Sequence, residues 1–208
     1  MEVNVFHCTG YIINEVKDAD IRKLAEFVVA ENQRHHCAAD EPFVSEEDSI
    51  NSVCNEEMAF SPSYLYIAKN NSGKIIGSIR VFKWDKKQQL PIEKIFGINP
   101  MTAIHDEPKY NYWHIGRFAI DSFSGISTLM LFKQLVFLSI KPIIEDTDSY
   151  MIAEMDSKLL RTLNALGIET IQLGESVQYL HSETIPVCAK REGLLYFYNK
   201  YKDILKNK

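Results

Sequence analysis

Apolar positions recur along this chain at two different spacings, and the switches between them mark the elements. From Val3 to Val16, β-forming residues surround Gly10 and predict a first strand. Ile21, Leu24, Ala25, Phe27, Val28 and Val29 then follow at helical spacing, which predicts a helix from Ile21 to about Arg34, capped by Asp18 or Asp20. The acidic run Ser45-Glu46-Glu47-Asp48 opens a second helix reaching about Phe60, with its carboxylates at the positive end of the dipole. Tyr64–Ala68 and Lys74–Phe82 flank Asn70-Asn71-Ser72-Gly73, the pattern of a β-hairpin. A connection from Lys83 to Lys109 carries Pro91, Pro100 and Pro108, and connections of that length are usually functional or mobile.

The second half opens with the run Tyr112-Trp113-His114-Ile115-Gly116-Arg117-Phe118-Ala119-Ile120-Asp121, which reads as a strand. Ser122-Phe123-Ser124-Gly125-Ile126-Ser127 is a loop, and Ile126 to Ile140 an apolar helix that Pro142 closes. Because that helix is apolar nearly all round, it belongs under a sheet. A buried strand at Tyr150–Glu154, a helix at Ser157–Leu166 with Gly167 as its cap and a strand at Ile168–Leu173 come next. Val177–Leu180 and Thr184–Ala189 form a last strand pair in which Pro186 favours an edge or a bulge, and Leu194–Leu205 is a final helix. The order predicts a mixed α/β fold around a partly antiparallel sheet, within a single domain spanning residues 1–208 with an insertion at about 83–109.

Composition removes several classes of function. With 28 acidic against 23 basic residues and a net charge of -5, the chain lacks the electrostatics of a nucleic-acid binder. Cys8, Cys37, Cys54 and Cys188 are scattered without metal-knuckle or disulfide spacing and suit a reducing cytoplasm, where the protein is expected to reside. Lys133 interrupts the longest apolar run, so no membrane span is expected, and Met1-Glu2-Val3-Asn4 lacks the basic start of a signal peptide.

The chemistry gathers around the strand at 112–121. Its loop places small hydroxyl residues and a glycine where amides at a helix N-terminus would meet an anion, so a phosphate site is expected at Ser124, Gly125, Ile126 and Ser127. His114 is either a base able to take an amine proton directly or through water, or a strand histidine satisfied by hydrogen bonds. Arg80 and Arg117 either hold a substrate carboxylate as a bidentate pair or tie Asp121, Glu154 or the insertion to the sheet. Glu154 is a second candidate base or substrate ligand, weighed against an ion pair with arginine. His35-His36-Cys37 with Asp40-Glu41 is poorly spaced for one metal and reads as a helix end, while His105-Asp106-Glu107 reads as a polar loop, so no metal is expected. Lys83, Lys86, Lys87 and Lys94 form a modest basic patch that either greets an acidic partner or is simply solvated. Tyr196, Phe197, Tyr198 and Tyr201 are read as packing residues, an exposed subset of which would line an acyl tunnel or a partner surface.

This element order, in which a central strand feeds a loop and helix able to hold a pantetheine phosphate, resembles the GNAT acyltransferase superfamily. More narrowly, Gly77-Ser78-Ile79-Arg80-Val81, a long proline-bearing insertion, and then His114-Ile115-Gly116-Arg117-Phe118-Ala119-Ile120 resemble the autoinducer-synthase and long-chain N-acyl amino-acid synthase branch, whose strand reads Glu-x-x-Arg-Phe. The C-terminal half, with Leu166-Gly167, Leu173-Gly174 and Thr184-Ile185-Pro186-Val187, is similar to the same branch.

The resemblance implies a GNAT-like fold with a mostly antiparallel sheet flanked by helices, and transfer of an acetyl or longer acyl group to a primary amine. The donor it implies is acetyl-CoA, a longer acyl-CoA or acyl carrier protein, and the acceptor a small amine, amino-acid-like where Arg80 and Arg117 bind it. It places His114 and Glu154 at the chemistry, and Phe118, Ala119, Ile120 with the 124–127 loop at the donor. Two departures matter: the loop lacks the full glycine pattern that wraps a pyrophosphate, and His114 stands where the branch has glutamate. They motivate an alternative, an inactive acyl- or CoA-binding module of the same fold. A third reading has the acidic 41–48 segment grip a cationic acceptor.

Overall fold

The structure, a computed structural model, describes residues 2–16, 21–36, 45–60, 62–104, 110–179 and 182–206. The candidate cap at Asp18 or Asp20, Cys37, the Asp40-Glu41 pair and His105-Asp106-Glu107 lie outside the described residues. The chain forms two compact units: residues 1–82, 117–139 and 203–208 make the first, and 83–116 with 140–202 the second.

In the first unit, β1 (Glu2–Cys8) and β2 (Tyr11–Val16) form an antiparallel hairpin where the sequence predicts one strand. The reason is Gly10, whose φ of 101° reverses the chain in a conformation that side-chain-bearing residues avoid. Next to β2 runs β3 (Tyr64–Asn70), and next to β3 runs β4 (Ile75–Lys83), all antiparallel. The β3–β4 turn follows the expected hairpin, with Asn70 Oδ1 accepting from the Ser72 and Lys74 amides.

Helix α1 (Ile21–His36) lays Leu24 and Val28 against Val16, Leu65, Ile67 and Ala119, and a second stripe, Ala25 and Val29, against Ile50 and Val53 of α2 (Glu46–Ala59). Ser45 caps α2 by accepting from the Asp48 amide at 3.1 Å, and Glu46, Glu47 and Asp48 stand in its first turn as the sequence predicts. The buried positions of α2 are Ile50, Val53 and Glu57, so a carboxylate stands on its apolar stripe.

Residues 83–104 of the long connection lie in the second unit. They hold two short helices, α3 (Pro91–Phe96) and α4 (Pro100–Ala103), each started by a proline whose missing N–H costs nothing at that position. Strand β5 (Asn111–Ile120) enters from here, and its last four residues belong to the first unit. Helix α5 (Thr128–Glu145) continues through Pro142, where the sequence predicts a stop, because buried Ile143 and Ile144 hold the final turn in the core. Its first turn starts two residues later than expected.

Strand β6 (Ser149–Asp156) pairs parallel with β5 from Asn111 opposite Ser149 to His114 opposite Ile152. After helix α6 (Ser157–Ala165), Gly167 takes φ of 91° beneath the Tyr196 ring. Strands β7 (Ile171–Gln172), β8 (Val177–Tyr179) and β9 (Ser182–Lys190) complete the unit, with β9 antiparallel to β6, β7 and β8. Pro186 therefore sits on an interior strand. Its carbonyl accepts from the Leu173 amide, and the side of the backbone that lacks an N–H faces the point where the short β7 ladder stops. Helix α7 (Arg191–Tyr201) packs Leu194 and Phe197 into the core and leaves Tyr196 exposed.

Candidate active site

In the second unit, the parallel pairing of β5 and β6 sets the first cluster. His114 lies opposite Ile152, and Glu154, two residues further along β6, shares the face of Ile152 because side chains alternate along a strand. The imidazole Nε2 of His114 and Oε2 of Glu154 are 2.9 Å apart. His114 is almost fully buried and the Glu154 side chain is 10% exposed. With Glu154 ionised the carboxylate accepts only, and the hydrogen then lies on Nε2. The other carboxylate oxygen, Oε1, is buried and has no hydrogen-bond partner among the described residues. A buried acceptor left open in this way costs stability unless something donates to it. The two candidate bases are thus brought together, and Glu154 pairs with a histidine where an arginine was weighed.

In the first unit, Arg80 and Arg117 also meet, through a residue that the sequence reading passed over. Glu57 Oε1 accepts from Arg80 Nη1 at 2.5 Å and from Arg117 Nε at 2.8 Å. Arg117 Nη2 donates to Glu56 as well. Burial alone would disfavour the charge on Arg117, but Glu56 and Glu57 hold its pKa above the ordinary guanidinium value. The Arg80 guanidinium lies beside the stacked rings of Phe60 and Phe82, 5.4 and 5.0 Å from their centres, and is 1% exposed. Arg117 itself has φ of 55°, and Ser78 Oγ donates to its carbonyl at 2.8 Å. Neither arginine pairs with Glu154 or Asp121 among the described residues. The signal for Glu57 was present in the sequence: a carboxylate at the i+7 position of the stripe that begins at Ile50.

The loop after β5 forms a third cluster, also in the first unit. Asp121 accepts from the Phe123 amide and from Lys74 Nζ, at 2.9 and 2.8 Å, and Ser124 N–H bonds back to the Asp121 carbonyl. Gly125 has φ of 71°, and the Ser127 carbonyl accepts the first two amide bonds of α5. Ser124 lines an open depression of about 390 Å³ together with Arg34, Asn70, Lys74, Ile76, Asp121 and Phe123. The Ser124 hydroxyl is buried and unpartnered among the described residues, while the Phe123 ring is 83% exposed. Upstream, Phe118 packs edge-on to Phe132, and Ala119 is buried beside the first-unit core.

Burial alone would raise the Asp121 pKa, but the donors Lys74 and Phe123 and the charges of Lys74 and Arg34 hold it below the ordinary carboxylate value. A group lowered on folding adds stability above its unfolded pKa, near about 3.9, and that stability is lost as pH falls through the folded value. Asp121→Asn is therefore expected to lower the denaturant midpoint at pH 7 and to match the parent once pH falls below the folded value. A gap that stayed constant with pH would show that the Asp121 charge is not what the loop uses.

The remaining candidates are placed elsewhere. Lys83 pairs with Asp146 at 3.0 Å, and Lys86 lies over the Tyr112 ring, so two of the four lysines have partners within the second unit. Among the described residues no cluster has metal-ligating composition and geometry, and no helix is long and apolar enough to cross a membrane.

No protein-family model and no curated protein matches this chain. Solved structures do. FeeM, an N-acyl amino acid synthase from uncultured soil microbes, superposes with a TM-score of 0.63 at 14% identity, over 88% of this chain and 91% of its own. The AHL synthase LasI follows with a TM-score of 0.55 at 14% identity, over 91% and 94%. FdhC, a nucleotide-linked sugar GNAT, gives 0.53 at 10% identity, over 99% of each chain. The chain therefore has the GNAT acyltransferase fold, mixed α/β with a mostly antiparallel sheet, as its element order implied.

Proposed function

We propose that this protein is an N-acyltransferase that moves an acetyl or longer acyl group from acyl-CoA or acyl carrier protein to a small primary amine. The observation that carries the reading is the buried His114–Glu154 pair with one carboxylate oxygen left open. An ionised Glu154 accepts from His114 through Oε2 and presents Oε1 to an N–H of the acceptor. The amine nitrogen attacks the thioester carbonyl carbon. As the C–N bond forms, the nitrogen gives its proton to the pair, and the C–S bond then breaks to release a thiolate that leaves as thiol once protonated. Glu154 Oε1 holds that proton and returns it to the departing thiolate, while the His114 Nε2–H stays on Oε2 and keeps the carboxylate aimed, so the pair stands in for the glutamate of the branch the chain resembles. Direct transfer needs no enzyme nucleophile, and β5 carries no cysteine.

The donor is assigned to Phe118, Ala119, Ile120, Ser124, Gly125, Ile126 and Ser127. The Thr128 and Leu129 amides precede the first hydrogen bonds of α5 and favour a phosphate, and the buried Ser124 hydroxyl is available as a donor. Arg117 is assigned to the acceptor, with Arg80 behind it as the group that orders it through Glu57. The FeeM and LasI likenesses support N-acyl transfer to an amino-acid-like amine, and the reduced phosphate loop suits a single phosphate as well as CoA. Free-thiol release from acetyl-, octanoyl- and palmitoyl-CoA and the matching acyl carrier proteins, measured with and without a panel of primary amines, tests the reading. Amine-dependent release with at least one donor is expected. Donor binding without release would make the protein a binding module.

A further inference from the structure

We propose that Glu56 and a carboxylate on the acceptor compete for the same edge of the Arg117 guanidinium, so that Glu56 sets how strongly carboxylate-bearing acceptors are preferred over simple amines. This inference rests on the reading of the protein as an amine acyltransferase with Arg117 at the acceptor.

The Nε–Nη2 edge of a guanidinium matches both oxygens of one carboxylate. In Arg117 that edge is divided between two: Nε donates to Glu57 and Nη2 to Glu56. The two glutamates differ in how firmly they are held. Glu57 is 3% exposed and is gripped by Arg80 as well, whose guanidinium is buried beside Phe60 and Phe82. Glu56 is 24% exposed, and among the described residues Arg117 is its side chain's one hydrogen-bond partner. It stands in the last turn of α2, where its backbone carbonyl accepts from the Phe60 amide, so its side chain can swing to water without breaking the helix.

Charge then decides what a substrate carboxylate does. In these pairs Arg80 and Arg117 face Glu56 and Glu57, so a third carboxylate at Arg117 would stand beside two others at a partly buried site and be repelled by both. Exchange for Glu56 avoids the third charge and returns Glu56 to solvent. The acceptor carboxylate thus pays, through Glu56, a fixed penalty that a plain amine does not.

Glu56→Gln keeps the length of the side chain and removes the competing charge. Calorimetric titration of both proteins with L-leucine against isopentylamine, and L-phenylalanine against phenethylamine, reads the effect without requiring turnover. At least one amino acid is expected to bind Glu56→Gln about tenfold more tightly than the parent, with its decarboxylated partner changed less than about twofold. Equal changes within every pair, or no gain for either amino acid, would overturn the proposal. Glu56→Asp keeps the charge but draws it back from Arg117, and an intermediate gain is expected there should the glutamine variant fold poorly. Thiol release separates the two levels: acyl transfer with no acid-selective gain sinks this proposal alone, whereas acid-selective binding with no release from any donor sinks the acyltransferase reading.

Discussion

Glu57→Ala is expected to destabilise the protein by about 3–5 kcal/mol, the usual consequence of removing one partner from a buried ion pair. One oxygen of Glu57 accepts from two guanidinium groups, so its loss leaves Arg80 buried beside two stacked aromatic rings without its 2.5 Å counter-ion and weakens the hold on Arg117. The energy at stake is mainly the cost of an uncompensated buried charge. A urea titration measures it, with Glu47→Ala as the comparison. Glu47 pairs with Arg22 in solvent, and its removal is expected to leave the midpoint nearly in place. Equal midpoints for the two variants would mean that the Glu57 cluster is not what fixes α2 within the first unit.

His114→Ala is expected to lower turnover by about 10²–10⁴-fold, the range of general acid–base catalysis, while the melting transition stays cooperative. Glu154→Gln keeps the shape of the pair and removes its capacity to hold a proton, and a loss of similar size is expected. Because the two groups act as one unit through a 2.9 Å contact, the double variant should be little worse than either single one. Multiplicative losses would show that the two residues serve separate steps, and unchanged turnover in a folded His114→Ala protein would remove the pair from the mechanism.

The features most legible in the sequence were those written in local pattern. The acidic start of α2, the Asn70–Gly73 hairpin turn and the apolar stripe of α1 each rest on neighbouring residues, and the structure shows each of them. The two strands at 2–16 were read as one because β-forming residues on both sides of Gly10 hide the reversal, which depends on a positive φ at a single glycine. The sequence predicts a helix stop at Pro142 and an edge or a bulge at Pro186, whereas Pro142 lies inside α5 and Pro186 on a strand paired on both sides. In the first case burial of the next two isoleucines outweighs one lost hydrogen bond, and in the second β7 is too short to need the missing donor.

The candidate site divides in the same way. His114, Arg117 and the 122–127 loop stand together in one stretch of chain and could be named from it. Their partners could not, because Glu56, Glu57 and Glu154 reach them only through strand register and helix packing, across 40 to 61 positions of sequence. A carboxylate on the apolar stripe of α2 was the one clue to Glu57. Nothing local marks Lys74 or Arg34 as neighbours of the loop after β5; the hairpin turn and the end of α1 bring them there.

The measurement that bears most directly on the account is mass analysis of the product after the protein is mixed with an acyl thioester and a primary amine, with free thiol followed in the same tube. The account predicts N-acyl amine and thiol in equal amounts, both dependent on His114. Thioester consumed without N-acyl product, or a donor that binds and is never consumed, would contradict it.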